Sequence, residues 1–251
     1  VESDVSDGIT SNRSHNHPYY TMPGVGIPSS YSLNSFRELK GPIIDVRSPK
    51  EFIQGHLPGA KNIPLFDNEE RAIIGTAYKR EGRQKAIILG LNITTSKLKE
   101  LKNKFIEESS KSKSKNNYLR FYCWRGGLRS QSIGWLANNL DLNPVLLNGG
   151  YKSYRNWALN QFKKKWPLRL LGGKTGTSKT SILFELSKLG ISIIDLEGIA
   201  NHKGSSFGGI GLGPQPSCEQ FENNLAQALY LQEKISPKAI WIEAESANLG
   251  K

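Results

Sequence analysis

One stretch limits what this chain can become more than any other: Phe121-Tyr122-Cys123-Trp124-Arg125-Gly126-Gly127-Leu128-Arg129-Ser130. An apolar strand candidate runs into a cysteine, then into a loop with two glycines and two arginines, then into an amphipathic helix from about Ser130. A strand feeding a helix through a short polar loop is the repeating unit of an α/β domain. The loop also has a chemical reading. A thiolate is the nucleophile of cysteine chemistry, and nearby cations and a helix N-terminus favour it. Backbone N–H groups in a glycine loop form a nest for an anion. The plain alternative is a buried strand-end cysteine with solvated arginines; Gly126, Gly127 and Arg129 together favour the chemical reading.

The rest of the first half repeats the alternation. Pro42 to Val46 predicts a short buried strand, and Ser48, Pro49 and Glu51 predict a capped helix start. Gly55 to Leu65 predicts a turn and a short strand, with His56 a structural hydrogen-bonding residue. Asn68 to Leu91 predicts helices interrupted near Gly75 and Gly82, too long for a routine connection, followed by a helix over Thr95 to Ile106. Ser109 to Asn117 reads as a solvated loop. After the cysteine loop come a helix to Leu140, a strand at Pro144 to Leu147, and a basic helix from Lys152 to Trp166. Its Lys163, Lys164 and Lys165 fit a nucleic-acid contact or a plain exposed face equally. Val1 to Ser35 reads as a flexible leader, with His15 and His17 solvated. The expected organisation is therefore a leader (1–35), a first α/β domain (36–150), a connecting helix (151–166) and a second α/β domain (167–251).

That second domain opens with a strand candidate at Pro167 to Leu171 and the run Gly172-Gly173-Lys174-Thr175-Gly176-Thr177-Ser178-Lys179-Thr180. Strand, glycine-rich loop, Lys-Thr and helix are the order of a phosphate-binding P-loop. Its N–H groups would wrap phosphates, Lys179 would neutralise charge, and Thr180 is placed to hold Mg²⁺. Ser178 stands where the pattern wants Gly, and Ser is tolerable at a helix start. Strand candidates at Ile191 to Gly198 and Ala239 to Ser246 end in Asp195 and Glu197, and in Glu243 and Glu245. Acids at such strand ends face the ligand crevice and could position a metal or a proton. His202 to Gly209 reads as an active-site loop, and Cys218 as a residue at a helix start near Ser217.

The net charge of +12 suggests an anionic partner, for which nucleic acid is the first choice. Hydrophobic content of 37 % and charged content of 22 % are those of a globular protein, and no apolar run approaches a membrane span. Two cysteines cannot make a disulfide framework, so the expected compartment is the cytoplasm.

The segments Asp45 to Phe52, Gly55 to Ala60 and the Cys123 loop resemble a rhodanese domain. The ordered set Cys123 to Ser130, Gly149 to Lys152, Asp195 to Gly198, His202 to Ser205 and Glu243 to Ser246 resembles the tRNA 2-selenouridine synthase family, from about Leu39 to Lys251. The resemblance implies a rhodanese-like domain followed by a P-loop domain with a parallel sheet, C-terminally incomplete because the chain stops at Lys251. It further implies exchange of sulfur for selenium on the wobble 2-thiouridine of tRNA. The co-substrates would be selenophosphate and geranyl diphosphate, with no tightly bound cofactor and with the anticodon loop as partner. Cys123 would be the selenium-transfer cysteine, and the loop from Gly173 to Thr180 would hold diphosphate. Independently of the family, five residues separate Cys123 from Arg129, the spacing of cysteine phosphatases. Such a loop can admit a tetrahedral anion, with Arg125 and Arg129 as clamps. The rivals are a small-molecule sulfurtransferase or cysteine phosphatase, a non-catalytic RNA-binding fragment, and a P-loop ATPase or kinase.

Overall fold

Apolar runs buried on both faces are what parallel strands between helices require, and Pro144–Leu147 is buried at every position. In the computed structural model, which describes residues 26, 28–111, 118–174, 177–202, 213–235 and 237–244, such runs recur along the chain. The order is β1 (Ser30–Tyr31), α1 (Leu33–Glu38), β2 (Ile43–Asp45), α2 (Pro49–Gln54), β3 (Ala60–Asn62), α3 (Asn68–Arg80), α4 (Arg83–Ser110), β4 (Leu119–Tyr122), α5 (Leu128–Asn138), β5 (Pro144–Leu147) and α6 (Gly150–Gln161). Then follow β6 (Leu168–Leu171), α7 (Lys179–Lys188), β7 (Ile193–Ile194), α8 (Leu196–Ala200), α9 (Cys218–Ile235) and β8 (Ile240–Glu243).

Among the described residues there are two sheets, both wholly parallel. The first has the order β1-β5-β4-β2-β3, the second β6-β8-β7. One face of the first sheet buries Ile44, Phe121 and Leu146 against Phe105 and Ile133; the other buries Tyr122, Val145 and Leu147 against Phe36, Tyr151 and Tyr154. The second sheet centres on Ile194, Ile240 and Leu229. Helix α9 is shared: Ala226 packs in the cluster of Tyr151 and Tyr154, while Leu229 packs in that of Ile194 and Ile240.

Several element boundaries differ from the sequence expectation. Gly75 does not interrupt α3; the cost of a mid-helix glycine, about 1 kcal/mol, is offset where Ile74 and the neighbouring Gly90 pack with Phe66. The break comes at Gly82, whose φ of 90° suits glycine, and α4 then runs unbroken for 28 residues. Helix α5 starts at Leu128, because the Gly127 carbonyl already accepts from the Ser130 and Gln131 N–H groups. Helix α6 ends at Gln161, before the three lysines, where the Trp166 indole donates to the Gln161 carbonyl (2.8 Å). The end of the expected leader is built into the first sheet: Ser30 and Tyr31 pair with Leu146 and Leu147, and Ser32 caps α1. The capping box of Ser48 and Glu51 on α2 forms as expected. Residues 1–25, with His15 and His17, and 112–117 within the expected solvated loop lie outside the described residues.

Candidate active site

Cys123 follows directly on β4, at the base of the loop the sequence singles out. The sulfur was expected to be open to a donor; instead the residue is 3 % exposed and packs with Val46, Phe121 and Ile133. The reason is that β4 is a central strand and the loop folds back over its end. Cys123 Sγ lies 3.2 Å from the buried Ser130 Oγ and 3.9 Å from the Gly127 carbonyl. The sulfur therefore lies beside the first turn of α5, the end of that helix with positive partial charge. The loop is seated on the start of α6, where Tyr151 N–H donates to the Cys123 carbonyl (2.8 Å) and Lys152 N–H to the Trp124 carbonyl (2.9 Å). Glycine is required at that seat: a Cβ on Gly150, at φ 57°, would lie 2.3 Å from the Cys123 carbonyl oxygen.

The two candidate clamps part company. Arg125 is exposed, with no ion pair among the described residues. Arg129, expected to face a donor, donates from Nη1 to Glu51 Oε2 (2.8 Å), and Arg71 Nε approaches the same oxygen (3.7 Å). Burial works against the charge on Glu51, but Arg129 and the Ser48 N–H outweigh it and hold the carboxyl below its usual range. Trp124 is 38 % exposed, its ring 5.6 Å from that of Tyr151.

Beneath the loop lies a buried ion pair that sequence reading did not single out. Arg47 is 1 % exposed and donates from Nε and Nη2 to Asp45, with Nη2–Oδ2 at 2.6 Å and a further bond to the Gly55 carbonyl (2.6 Å). Its guanidinium stacks 3.9 Å from the centre of the Tyr151 ring. Tyr151 Oη in turn donates to Glu219 Oε1 (2.5 Å) and accepts from Asn223 Nδ2 (2.7 Å), both on α9. Burial, then Glu219, raises the Tyr151 pKa, so the phenol stays protonated. His56 is structural, as expected: its Nδ1 pairs with the Phe52 carbonyl (2.9 Å), its ring stacks on Phe52, and burial lowers its pKa. Helix α9 thus supports the loop built on β4.

The glycine-rich loop lies between β6 and α7. Lys179 Nζ donates to the Gly173 carbonyl (3.2 Å), and Thr177 Oγ1 to the Lys174 carbonyl (2.7 Å). Thr180 Oγ1 sits 2.9 Å from Glu197 Oε2 and 3.2 Å from Glu243 Oε2, so α7, α8 and β8 converge on one hydroxyl. Asp195 is not part of that group; it caps α8, accepting from the Gly198 N–H (2.8 Å). Ser178 does not cap α7. It adopts φ 57°, ψ 32° and makes no side-chain cap bond, so this is a left-handed position that favours glycine. The left-handed conformation costs an L-residue about 1–2 kcal/mol, and the extra freedom of an unfolded glycine returns part of that. Ser178→Gly is expected to stabilise the chain by roughly 0.5 kcal/mol and Ser178→Val to destabilise it by about 1 kcal/mol or more, as read by thermal denaturation. Equal midpoints for the two variants would contradict this backbone account.

Thr175, Gly176, Glu245 and the expected loop from Lys203 to Gly209 lie outside the described residues. Ser130, Glu51, Tyr151, Glu219 and Asn223 were not picked out as site residues. Ser130 had a signal, following Arg129 at the helix start; Glu219 and Asn223 had none, because their partners are remote in sequence.

Comparison with known proteins extends this geometry. Residues 32–156 match the rhodanese-like domain, and residues 166–251 match the tRNA 2-selenouridine synthase AAA domain. The chain is 36 % identical over 218 residues to a tRNA 2-selenouridine synthase of Nitrosomonas europaea, covering 84 % of this chain and 54 % of that one. It is 41 % identical over 207 residues to one of Sulfurovum sp., covering 81 % and 54 %. The chain thus spans about half the length of these curated relatives. Among solved structures, the N-terminal domain of a putative ATP/GTP binding protein from Clostridium difficile 630 is 37 % identical, covering 52 % of this chain and 99 % of that one, with a TM-score of 0.48. A cysteine loop on one parallel sheet, a glycine-rich loop on the next, and both matches in that order place the chain in the tRNA 2-selenouridine synthase family.

Proposed function

We propose that this chain takes part in replacing sulfur by selenium at the wobble 2-thiouridine of tRNA, in the cytoplasm, in two steps at two loops. The supporting observation is the pairing itself: a cysteine at the positive end of α5, within 3.2 Å of a hydroxyl, in a chain whose second sheet carries a separate glycine-rich loop with its lysine and threonine. In the first step the thiocarbonyl sulfur of the base displaces diphosphate from geranyl diphosphate. The loop from Gly173 to Thr180 holds the departing diphosphate, with Lys179 opposing its charge. Two carboxylate oxygens around the Thr180 hydroxyl form an oxygen donor set of the kind Mg²⁺ takes, with Glu197, Glu243 and Thr180 as its holders. The metal would neutralise diphosphate charge.

In the second step a selenium nucleophile from selenophosphate attacks the activated carbon. The carbon–selenium bond forms, the bond to geranylthiolate breaks, and water takes up the phosphoryl group. Cys123 guides the selenium donor to that carbon and forms no bond to selenium itself. The donor's oxyanion competes with Glu51 for the Arg129 guanidinium. Alkylation first makes sulfur the better leaving group, so two accessible steps replace one difficult displacement.

Incubation of the chain with 2-thiouridine-containing tRNA, geranyl diphosphate and selenophosphate, each omitted in turn, tests this through mass analysis of the nucleosides. Selenouridine only when all are present, and S-geranyl-2-thiouridine when selenophosphate alone is left out, is the expected pattern. Thiosulfate or phosphate-ester turnover without tRNA would favour the small-molecule reading.

A further inference from the structure

The long insertion between β3 and β4 has no part in the chemistry above, yet it is a helical hairpin rooted beside the cysteine loop. At its root Arg71 of α3 approaches Glu51, the same carboxylate that holds Arg129. Midway, Ala77, Ala86 and Gly90 are buried, and Phe66 and Ile74 pack around Gly90. Beyond them every residue from 78 to 85 is exposed. That tip reads Tyr78-Lys79-Arg80-Glu81-Gly82-Arg83-Gln84-Lys85. Its acid, Glu81, is taken by Lys85 (3.1 Å), and no carboxylate stands against Lys79, Arg80 or Arg83 among the described residues.

Elsewhere on the hairpin lysines are of both kinds, with Lys99 and Lys102 exposed and without an ion pair among the described residues. Lys97 and Lys104, by contrast, each meet a glutamate, as do Lys111 just past α4 and Lys164 after α6, so among the described residues the tip is where unpaired cations stand closest together with an aromatic ring. Arg83 and Lys85 occupy the first turn of α4, where a cation opposes the helix dipole, so helix stability does not account for them; Lys79 and Arg80, in the last turn of α3, complement its dipole. Tyr78, 58 % exposed, adds an aromatic ring to the same edge. Arg80 lies nine residues beyond Arg71, about 14 Å along the helix axis at 1.5 Å per residue, or about four stacked nucleotides.

We propose that the tip of the α3–α4 hairpin, residues 78–85, holds the sugar-phosphate backbone of the RNA whose base is presented at the Cys123 loop. The inference rests on the tRNA reading above and gives it a surface: Lys79, Arg80 and Arg83 meet phosphates, and Tyr78 offers a face to an unstacked base. The contact is electrostatic and positions the strand rather than reading its sequence.

The test is the salt dependence of tRNA binding by the full chain and by the triple variant Lys79→Ala, Arg80→Ala, Arg83→Ala, with vesicles of anionic phospholipid as a second probe. Three lost phosphate contacts should reduce the slope of log K against log salt by about 2 and weaken binding about tenfold or more at physiological salt. The thermal midpoint should move little, because these side chains are exposed and the helix-dipole interactions removed, favourable at Lys79 and Arg80 and unfavourable at Arg83, partly cancel. Wild-type binding with an unchanged slope in the variant overturns the hairpin assignment and leaves the tRNA reading standing. No tRNA binding by the wild type overturns both. Vesicle binding that depends on the three cations, without an effect on tRNA, overturns the assignment in favour of a membrane surface.

Discussion

Cys123→Ser is expected to abolish selenation, by about 10³-fold or more, while S-geranyl-2-thiouridine still accumulates in the tRNA. The substitution exchanges one buried atom in a site 3 % exposed, so packing is nearly conserved, and the new hydroxyl can still pair with Ser130. The fold should survive, and the lost activity can then be assigned to the sulfur. The comparison is nucleoside mass analysis of tRNA treated with either protein and both co-substrates. Equal loss of geranylation and selenation would show that Cys123 does not act in the second step alone.

The largest effect on stability is expected from Asp45→Ala. The substitution leaves the Arg47 guanidinium almost wholly enclosed, its Nη2 retaining the Gly55 carbonyl but no counter-ion. It also removes the acceptor of the Arg47 backbone N–H (2.9 Å). Breaking one side of such a pair costs about 3–5 kcal/mol, because the remaining charge is buried without compensation. For a chain of this length that corresponds to a fall in thermal midpoint of roughly 10 °C. Replacing both partners by apolar residues, as in Asp45→Leu with Arg47→Met, should recover part of the loss. If Asp45→Ala shifted the midpoint by no more than an exposed control such as Glu100→Ala, the pair would not be a keystone of the first sheet.

Much of the architecture could be read from the amino acids because it is local. Strands such as Pro144–Leu147 are apolar at every position, and helix starts such as Ser48-Pro49 carry their own caps. The two loops were legible for the same reason: nucleophile, glycines and cations are adjacent in sequence. What could not be read is what depends on distant partners. The closure of Cys123 follows from the central position of β4, which no neighbouring residue announces. The engagement of Arg129 by Glu51 joins positions 78 apart, and that of Tyr151 by Glu219 joins positions 68 apart. Ser178 shows a third limit. Its small side chain reads as tolerable where the pattern wants Gly, but the backbone angle, set by the turn into α7, is one that favours glycine.

The central claim is that the two loops divide the work, and it is tested most directly by giving Lys179→Ala a tRNA that already carries S-geranyl-2-thiouridine, together with selenophosphate. The account predicts that selenouridine forms at close to the wild-type rate on this substrate, although the same variant makes little S-geranylated tRNA from the 2-thiouridine form. Failure on the pre-alkylated tRNA, in a variant that folds and binds tRNA as the wild type does, would contradict it.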